Sequence, residues 1–401
     1  MTRACFGRAT MIIRSQIAAR IIELPKTGLR GYFDLALNQP DVISLGVGEP
    51  DFVTPESISE AGVASLKHGA TKYTLLPGIP ELRAAVAWHL ERLYGVSYNP
   101  NEEVLITVGT SEGMHAALTV LINPGDEVLV LQPAYLSYVP LVSLAGGTPV
   151  AVPVRVENRF QVTAREIEEA ITPRTKAIML NYPNNPTGAV LERATAIEVA
   201  EVIRRHGMVV ISDEVYDRLV YGVEHLCAAS LSGMKERTLL LGGFSKAYAM
   251  TGWRVGYAAG PAPLIEAMLT VHQYMVMCAP AMAQMAALYA LERGEELVEG
   301  MRREYDRRRR LLVEGLNNLS LDCCEPQGAF FAFPSVRKTG LSDPEFVQRL
   351  LAEEKVVVLP GSSFGAAGAG FIRCSYAVSP EVLGEALARM ERFLTRLRST
   401  Q

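Results

Sequence analysis

One lysine in the chain sits in a setting suited to covalent chemistry. Lys246 lies in GFSKAYAMTGWRVGY (Gly243–Tyr257), in a glycine- and serine-containing turn after the apolar run Leu239–Leu241, with Arg254 following in the same stretch. A lysine drawn into a pocket loses water, so its ammonium form is disfavoured and the free amine becomes a nucleophile toward carbonyls. That is the chemistry of a Schiff-base lysine. Alone the signal is weak, because lysines beside glycines are commonly solvated, and its weight depends on partners elsewhere.

Three further groups supply them. Gly109, Thr110 and Ser111 follow the apolar run VLITV and precede a helical pattern with Met114, Ala117, Leu118 and Leu121 on one face. Strand, small-residue turn and helix start together leave backbone N–H groups and the helix dipole facing an anion. The GxxxxGK[ST] pattern is missing, so the cradle suits a phosphate without implying a nucleoside triphosphate. Asn185 ends the run KAIMLNYPNN, and Asp213 and Tyr216 end MVVISDEVY. Taken singly, Asp213 also reads as a helix N-cap, and Tyr135 of QPAYLSY and Tyr73 of TKYTLLPG as core or surface aromatics.

The elements that must position these groups alternate. Apolar runs EVLVLQP, TPVAVPV, KAIMLNYP, MVVISDEVY, TLLLGGF and RVGYAAG are separated by helical stretches such as Arg193 to His206. That order predicts an α/β fold whose large domain is a mostly parallel sheet covered by helices on both faces. In such sheets ligands lie beyond the carboxyl ends of the strands, which is where all four groups fall. From about residue 286 helices mix with short strands, which predicts a smaller α+β C-terminal domain. The expected division is an extension at 1–11, an arm at 12–50 packing with the small domain, a large domain at 51–285 and a small domain at 286–401. A helix is expected over residues 12–23, where Ile13, Ile17 and Ile21 recur at helical spacing.

Bulk properties exclude several classes. The 401 residues are too many for one small core, and 49% apolar with 20% charged residues is ordinary for a globular protein. A net charge of -4 gives no footprint for nucleic acid or anionic membrane. Six scattered cysteines without CxxC spacing read as reduced thiols of a cytoplasmic protein, with no metal site. No run reaches the length of a membrane span. The six arginines between Met301 and Arg310 alternate with acids and an apolar stripe, so they read as a solvated helix face.

The motifs SLGVGEPDF, KYTLLPGIPELR, NYPNNPTG, SDEVY, SKAYAMTGWRVGY and FIRCSYA, in that order from about Ile12 to Leu397, resemble those of class I, fold-type-I aminotransferases that use pyridoxal phosphate. The archaeal and bacterial aspartate and aromatic enzymes look most similar. The resemblance implies that Lys246 binds the cofactor covalently and later moves the substrate proton, that Asp213 faces the pyridine nitrogen, and that Tyr216 and Asn185 hydrogen-bond the ring's 3′ oxygen. It implies stacking of Tyr135 on one ring face and Val215 on the other, and a cis Asn185-Pro186 bond. The phosphate would be held by Gly109, Thr110, Ser111 and Arg254, helped by Tyr73 from a neighbouring subunit of a homodimer. Arg373 would grip the substrate carboxylate with Asn185 and the backbone of Gly48. One departure stands out: many relatives carry serine where this chain has Gly243, so either Ser245 contributes its hydroxyl instead or the phosphate has one contact fewer.

The implied reaction moves the amino group of an L-amino acid, aromatic or acidic, to a 2-oxo acid such as 2-oxoglutarate in a ping-pong cycle. A carbon–sulfur lyase on the same scaffold is the alternative, and a regulatory protein retaining the fold is a reading from a different class. Tyr32, Phe33 and Tyr274 suit large apolar side chains, whereas Lys26 or Arg30 suit a distal carboxylate.

Overall fold

The computed structural model describes residues 16–24 and 41–399. In chain order the helices are α1 Ala19–Ile22, α2 Glu56–Lys67, α3 Pro80–Tyr94, α4 Gly109–Leu121, α5 Tyr138–Leu144, α6 Ala164–Ala170, α7 Arg193–Arg205, α8 Ala262–Met275, α9 Ala281–Arg293, α10 Glu295–Asn318, α11 Asp343–Glu354 and α12 Pro380–Ser399. The strands are β1 Ile43–Ser44, β2 Val104–Thr107, β3 Glu127–Gln132, β4 Thr148–Pro153, β5 Thr175–Leu180, β6 Val209–Asp213, β7 Thr238–Gly243, β8 Gly256–Ala259, β9 Phe331–Ala332, β10 Val356–Val357, β11 Leu359–Pro360 and β12 Ile372–Ser375. The helix expected over residues 12–23 is confined to Ala19–Ile22 within the described part, and its first positions lie outside it.

A seven-stranded sheet in the order β2-β8-β7-β6-β5-β3-β4 forms the centre. Strand β8 runs antiparallel to both neighbours and every other pair is parallel. Near-continuous Val, Ile and Leu in β2 and β6, buried on both faces, follow from helices covering each side. Because β8 is reversed, its amino end lies beside the carboxyl ends of β2 and β7. That reversal brings Arg254, just before β8, to the same edge as the other candidate groups.

Local signals explain the helices that flank this edge. Helix α3 opens with Pro80 at its first position and closes on left-handed Gly95 (φ 67°), the usual asymmetry of proline at the start and glycine past the end. Helix α6 opens with a complete capping box, Thr163 accepting from the Glu166 amide while the Glu166 carboxylate accepts from the Thr163 amide.

The second unit is built on the antiparallel ribbon β11-β12-β9, with α10, α11 and α12 around a core containing Tyr305, Phe330, Phe331, Phe346, Tyr376 and Phe393. Strand β1, far earlier in the chain, pairs in parallel with β10 in this unit.

The arginine-rich helix α10 corrects the expectation of a solvated face. Arg308 and Arg309 are each 5% exposed. With Tyr305 and Leu312 they fall on the i, i+3, i+4 stripe that meets the core, so helical geometry draws them inward. Arg308 is paired with Asp51 and Glu304, both at 2.8 Å, and stacks over Phe52 and Tyr305. Arg309 pairs with Asp306 and Glu325 and stacks over Tyr221. Arg303, Arg307 and Arg310 remain exposed.

The Arg308 cluster ties the segment after β1 to α10. Replacing Arg308→Met would leave Asp51 without its cation, while Glu304 keeps Arg307. Both carboxylates stay about three-tenths exposed, so the loss should be about 2 kcal/mol, below that of a fully buried pair. Urea unfolding of the two proteins side by side checks this, and coincident curves would show the cluster to be energetically inert.

Candidate active site

The candidate groups meet in a cleft of about 510 Å³ at the carboxyl edge of the large sheet. Gly48, Thr110, Ser111, Tyr135, Asn185, Asp213, Val215, Tyr216, Ser245, Lys246, Arg254 and Arg373 all line it. Two candidates do not. Gly109 lies beneath the lining, and Tyr73 is 78% exposed on the outer surface of the same chain.

Lys246 follows β7, and its Nζ donates to the carbonyl of Gly48 at 2.6 Å. Burial brings its pKa down to about 8; the Glu49 and Asp213 carboxylates oppose this, while the Arg373 and Arg254 guanidinium groups add to it. Asp213, at the end of β6, is 6% exposed. Burial pushes its carboxyl up to about 6, against the Tyr138 hydrogen bond, the Val215 amide and the Lys246 cation. At neutral pH it remains an anion. The helix-cap alternative for Asp213 is not what forms, since its Oδ1 accepts from the Val215 amide at 3.3 Å in a turn.

Asn185 and Arg373 form a unit. Arg373 Nη1 donates to Asn185 Oδ1 at 2.8 Å and Nη2 donates to the Gly46 carbonyl at 2.6 Å. Its guanidinium lies over the rings of Phe331 and Phe364, at 4.3 and 5.0 Å. Burial lowers its pKa to about 10, so it stays charged at neutral pH. Its Nε has no hydrogen-bond partner although it is buried. The Asn185-Pro186 bond is cis, as are Gln132-Pro133 and Tyr182-Pro183.

The cradle depends on close backbone approach. Gly109 has φ +70°, and a Cβ there would lie 2.7 Å from Arg254 Nη2. A Cβ on Gly256 would lie 2.9 Å from the carbonyl carbon of Gly109 and from the Thr110 nitrogen. Arg254 itself adopts a left-handed φ of 57° and is fastened by Nη1 to the Thr251 carbonyl. Helix α4 therefore points its amino end at Arg254 and Ser245 with no side chain between them.

Sequence reasoning missed four polar lining residues, Glu49, Tyr138, Asn181 and Thr251. Tyr138 donates its hydroxyl to Asp213 Oδ2 at 2.8 Å. Asn181 donates to the Asp213 carbonyl and accepts from the Asn185 amide, joining two strand ends. Glu49 sits at the mouth, where Thr251 Oγ1 donates to it at 3.3 Å. A usable signal existed for two of them: Asn181 opens the same NYPNNPTG motif as Asn185, and Tyr138 ends the same QPAYLSY stretch that holds Tyr135. Tyr32, Phe33, Lys26 and Arg30 lie outside the described residues, whereas Tyr274 is 83% exposed near the end of α8.

The amine of Lys246 gives a direct check. Acetic anhydride acylates only free amines, so labelling of Lys246 should rise through about pH 8 and not near the ordinary lysine value of 10.5. Glu49→Gln removes an anion that favours the ammonium and should move the midpoint lower. Peptide mass spectrometry reads both, and a midpoint near 10.5 in the unaltered protein would mean a solvated lysine.

Comparison with known proteins places this geometry among relatives. A family model described as aminotransferase class I and II matches residues 40–390. The chain is 45% identical to an aspartate aminotransferase of Pyrococcus abyssi, covering 93% of this chain and 96% of that one. It is 46% identical to aromatic-amino-acid aminotransferase 2 of Thermococcus litoralis, over 91% of this chain and 95% of that one. The crystal structure of an aromatic aminotransferase from Pyrococcus horikoshii superposes with a TM-score of 0.88 at 43% identity, covering 91% of this chain and 99% of that chain.

Proposed function

This chain belongs to the class I and II aminotransferases and catalyses amino-group transfer, and from that premise we propose that it works with pyridoxal phosphate, as a homodimer, on aromatic or acidic L-amino acids. The observation that carries this reading is the meeting of Lys246, Asp213, Arg373 and the cradle residues Thr110 and Ser111 in one cleft. The relatives reported above are aminotransferases, which disfavours the carbon–sulfur lyase alternative.

The residues present fit the cofactor. A Cβ at Gly109 would intrude on Arg254, which leaves the space a phosphate needs between the α4 amides, Ser245 and Arg254. Three cations, Lys246, Arg254 and Arg373, face two acids, Asp213 and Glu49, so the cleft carries excess positive charge for a phosphate and a carboxylate. When bound, pyridoxal phosphate supplies a carbonyl that captures the substrate amine and a ring that accepts the electron pair left on the α-carbon.

The chain's own residues do the rest. The Lys246 amine, with a pKa near 8, holds a free base in reach at neutral pH and can carry the proton of the substrate α-carbon. The Asp213 anion would face a ring nitrogen and favour its protonated form. Asn185 Oδ1 accepts from Arg373 and its side chain hydrogen-bonds the Tyr216 side chain, so Asn185 and Tyr216 would together face the ring's 3′ oxygen. Tyr135 and Val215 offer opposite walls for the ring. The N–H of each Arg373 Nη that is not given to Asn185 or Gly46 would serve a substrate carboxylate, with Phe331 and Phe364 stacked on the guanidinium.

Exposed apolar residues support the second copy. Tyr73, Leu75, Tyr274, Met275, Met277 and Met285 remain uncovered near one another in sequence and along α8 and α9. A partner over this surface would bring a Tyr73 to the neighbouring cleft. The division near residue 285 into a large cofactor-binding domain and a small domain, and a cytoplasmic location, belong to the same reading. Among the described residues no helix is long and apolar enough to cross a membrane.

A half-reaction tests the whole reading. Purified protein loaded with pyridoxal phosphate should pass to the pyridoxamine form with aromatic or acidic L-amino acids and return with 2-oxoglutarate, followed by absorbance. Release of ammonia and pyruvate would instead indicate a lyase, and failure to take up the cofactor would overturn the cofactor assignment. Arg373→Lys replaces a planar fork by a point charge. It should lower kcat/KM about 10- to 100-fold for every amino donor, with KM raised and kcat reduced. Unchanged kinetics would remove Arg373 from the site.

A further inference from the structure

We propose that Tyr138 is a positioning residue that sets two walls of the cleft at once, orienting the Asp213 carboxylate through its hydroxyl and the Tyr135 ring through its edge. The inference rests on the cofactor reading above and extends it to how the site is held. Tyr138 opens α5, directly beyond the carboxyl end of β3, and is 2% exposed. Its hydroxyl donates to Asp213 Oδ2 at 2.8 Å. The other carboxylate oxygen has only the 3.3 Å contact from the Val215 amide, so the phenol is the shortest donor to this side chain. The backbone of Asp213 is held separately, its carbonyl accepting from Asn181 Nδ2 at 2.9 Å. Asn181 thus fixes where the strand ends, and Tyr138 fixes where the carboxylate points.

The same ring meets Tyr135 edge to face, with centroids 5.5 Å apart and planes at 79°. Tyr135 is 37% exposed, so the contact steadies the ring while leaving a face open to the cleft. Other charged groups do not substitute for the phenol. Lys246 acts on Asp213 through space as a cation, and Glu214 next to it is engaged by Ser212, Ala228 and His225. Tyr138 itself faces Asp213, Tyr135 and Tyr216, and burial raises its phenol well above the ordinary value, so it remains a donor through the neutral range.

The test uses the full chain loaded with pyridoxal phosphate. Tyr138→Phe keeps the ring and removes the donor. It should shift the pH midpoint of the bound cofactor's absorbance by about half a unit or more and lower kcat about tenfold with KM nearly unchanged. Tyr138→Leu also removes the edge contact and should in addition weaken cofactor binding to the apoprotein about three- to tenfold, read by fluorescence titration. In an Asp213→Asn background, where no carboxylate remains to orient, Tyr138→Phe should add little to either the absorbance or kcat. If Asp213→Asn changes the cofactor spectrum but Tyr138→Phe only lowers thermal stability, the proposal fails and the cofactor reading stands. If Asp213→Asn leaves the spectrum unchanged, the cofactor reading fails and the proposal with it. A measurement without substituting Tyr138 guards against a variant that does not fold. In ¹³C-tyrosine-labelled protein the Tyr138 ring resonance should move both on Asp213→Asn and on cofactor loading, and a resonance that moves with neither overturns the proposal.

Discussion

Two cations held in one cleft by a single strap of backbone are the constraint on which this structure turns. Lys246 donates to the Gly48 carbonyl and Arg373 to the Gly46 carbonyl, each at 2.6 Å. Each positive charge makes the other harder to keep in a desolvated space, and Arg373 contributes to the lowered pKa of Lys246. The strap is not free to drift. Its approach is fixed by the β1–β10 pairing, by the Leu45 amide on the Val357 carbonyl, and by the Ser375 amide on the Leu45 carbonyl at 2.7 Å. Lys246 therefore comes from the large sheet and Arg373 from the small one, and the segment joining them is registered against the strand that carries Arg373.

The anion side of the cleft depends on what is absent from side chains. Gly256 and Gly109 allow β8 and the start of α4 to approach closely enough that Arg254 lies against the helix amino end. Gly243 fits the same arrangement. A Cβ there would come within 3.3 Å of both Thr110 Cγ2 and Gly256 Cα. The space a serine would use is thus partly taken by Thr110, itself a lining residue. Ser245, 8% exposed and also in the lining, is placed to donate without moving the backbone.

Much of this was legible in local pattern because the groups sit at chemically equivalent places. Apolar runs ending in Gly109–Ser111, Asn185, Asp213 and Lys246 announce strands, and parallel strands deliver their ends to one edge. What local pattern does not carry is the partner across the fold. Nothing around Tyr138 announces a carboxylate 75 positions later, and nothing around Arg308 announces Asp51. The arginine run looked solvated because its acids and cations alternate, yet the helical stripe turned two of the six inward. Periodicity says which face a residue shares, and only the packed neighbour says whether that face is wet.

A division of labour between reaction and substrate follows from where each wall is anchored. The groups facing the amine, the α-carbon and the carboxylate all sit at the ends of strands or on the strap, and most are buried and hydrogen-bonded to one another. Arg373, Asn185, Asn181 and Asp213 form an unbroken chain of contacts from the small sheet into the large one. By contrast, Tyr274, the described residue offered for side-chain recognition, is 83% exposed. The reaction class is therefore set by elements that the chain packs for itself, whereas the surface offered for substrate choice is left open by this chain. That physical difference is why the transferase chemistry is readable from motifs whereas the preferred amino acid is not.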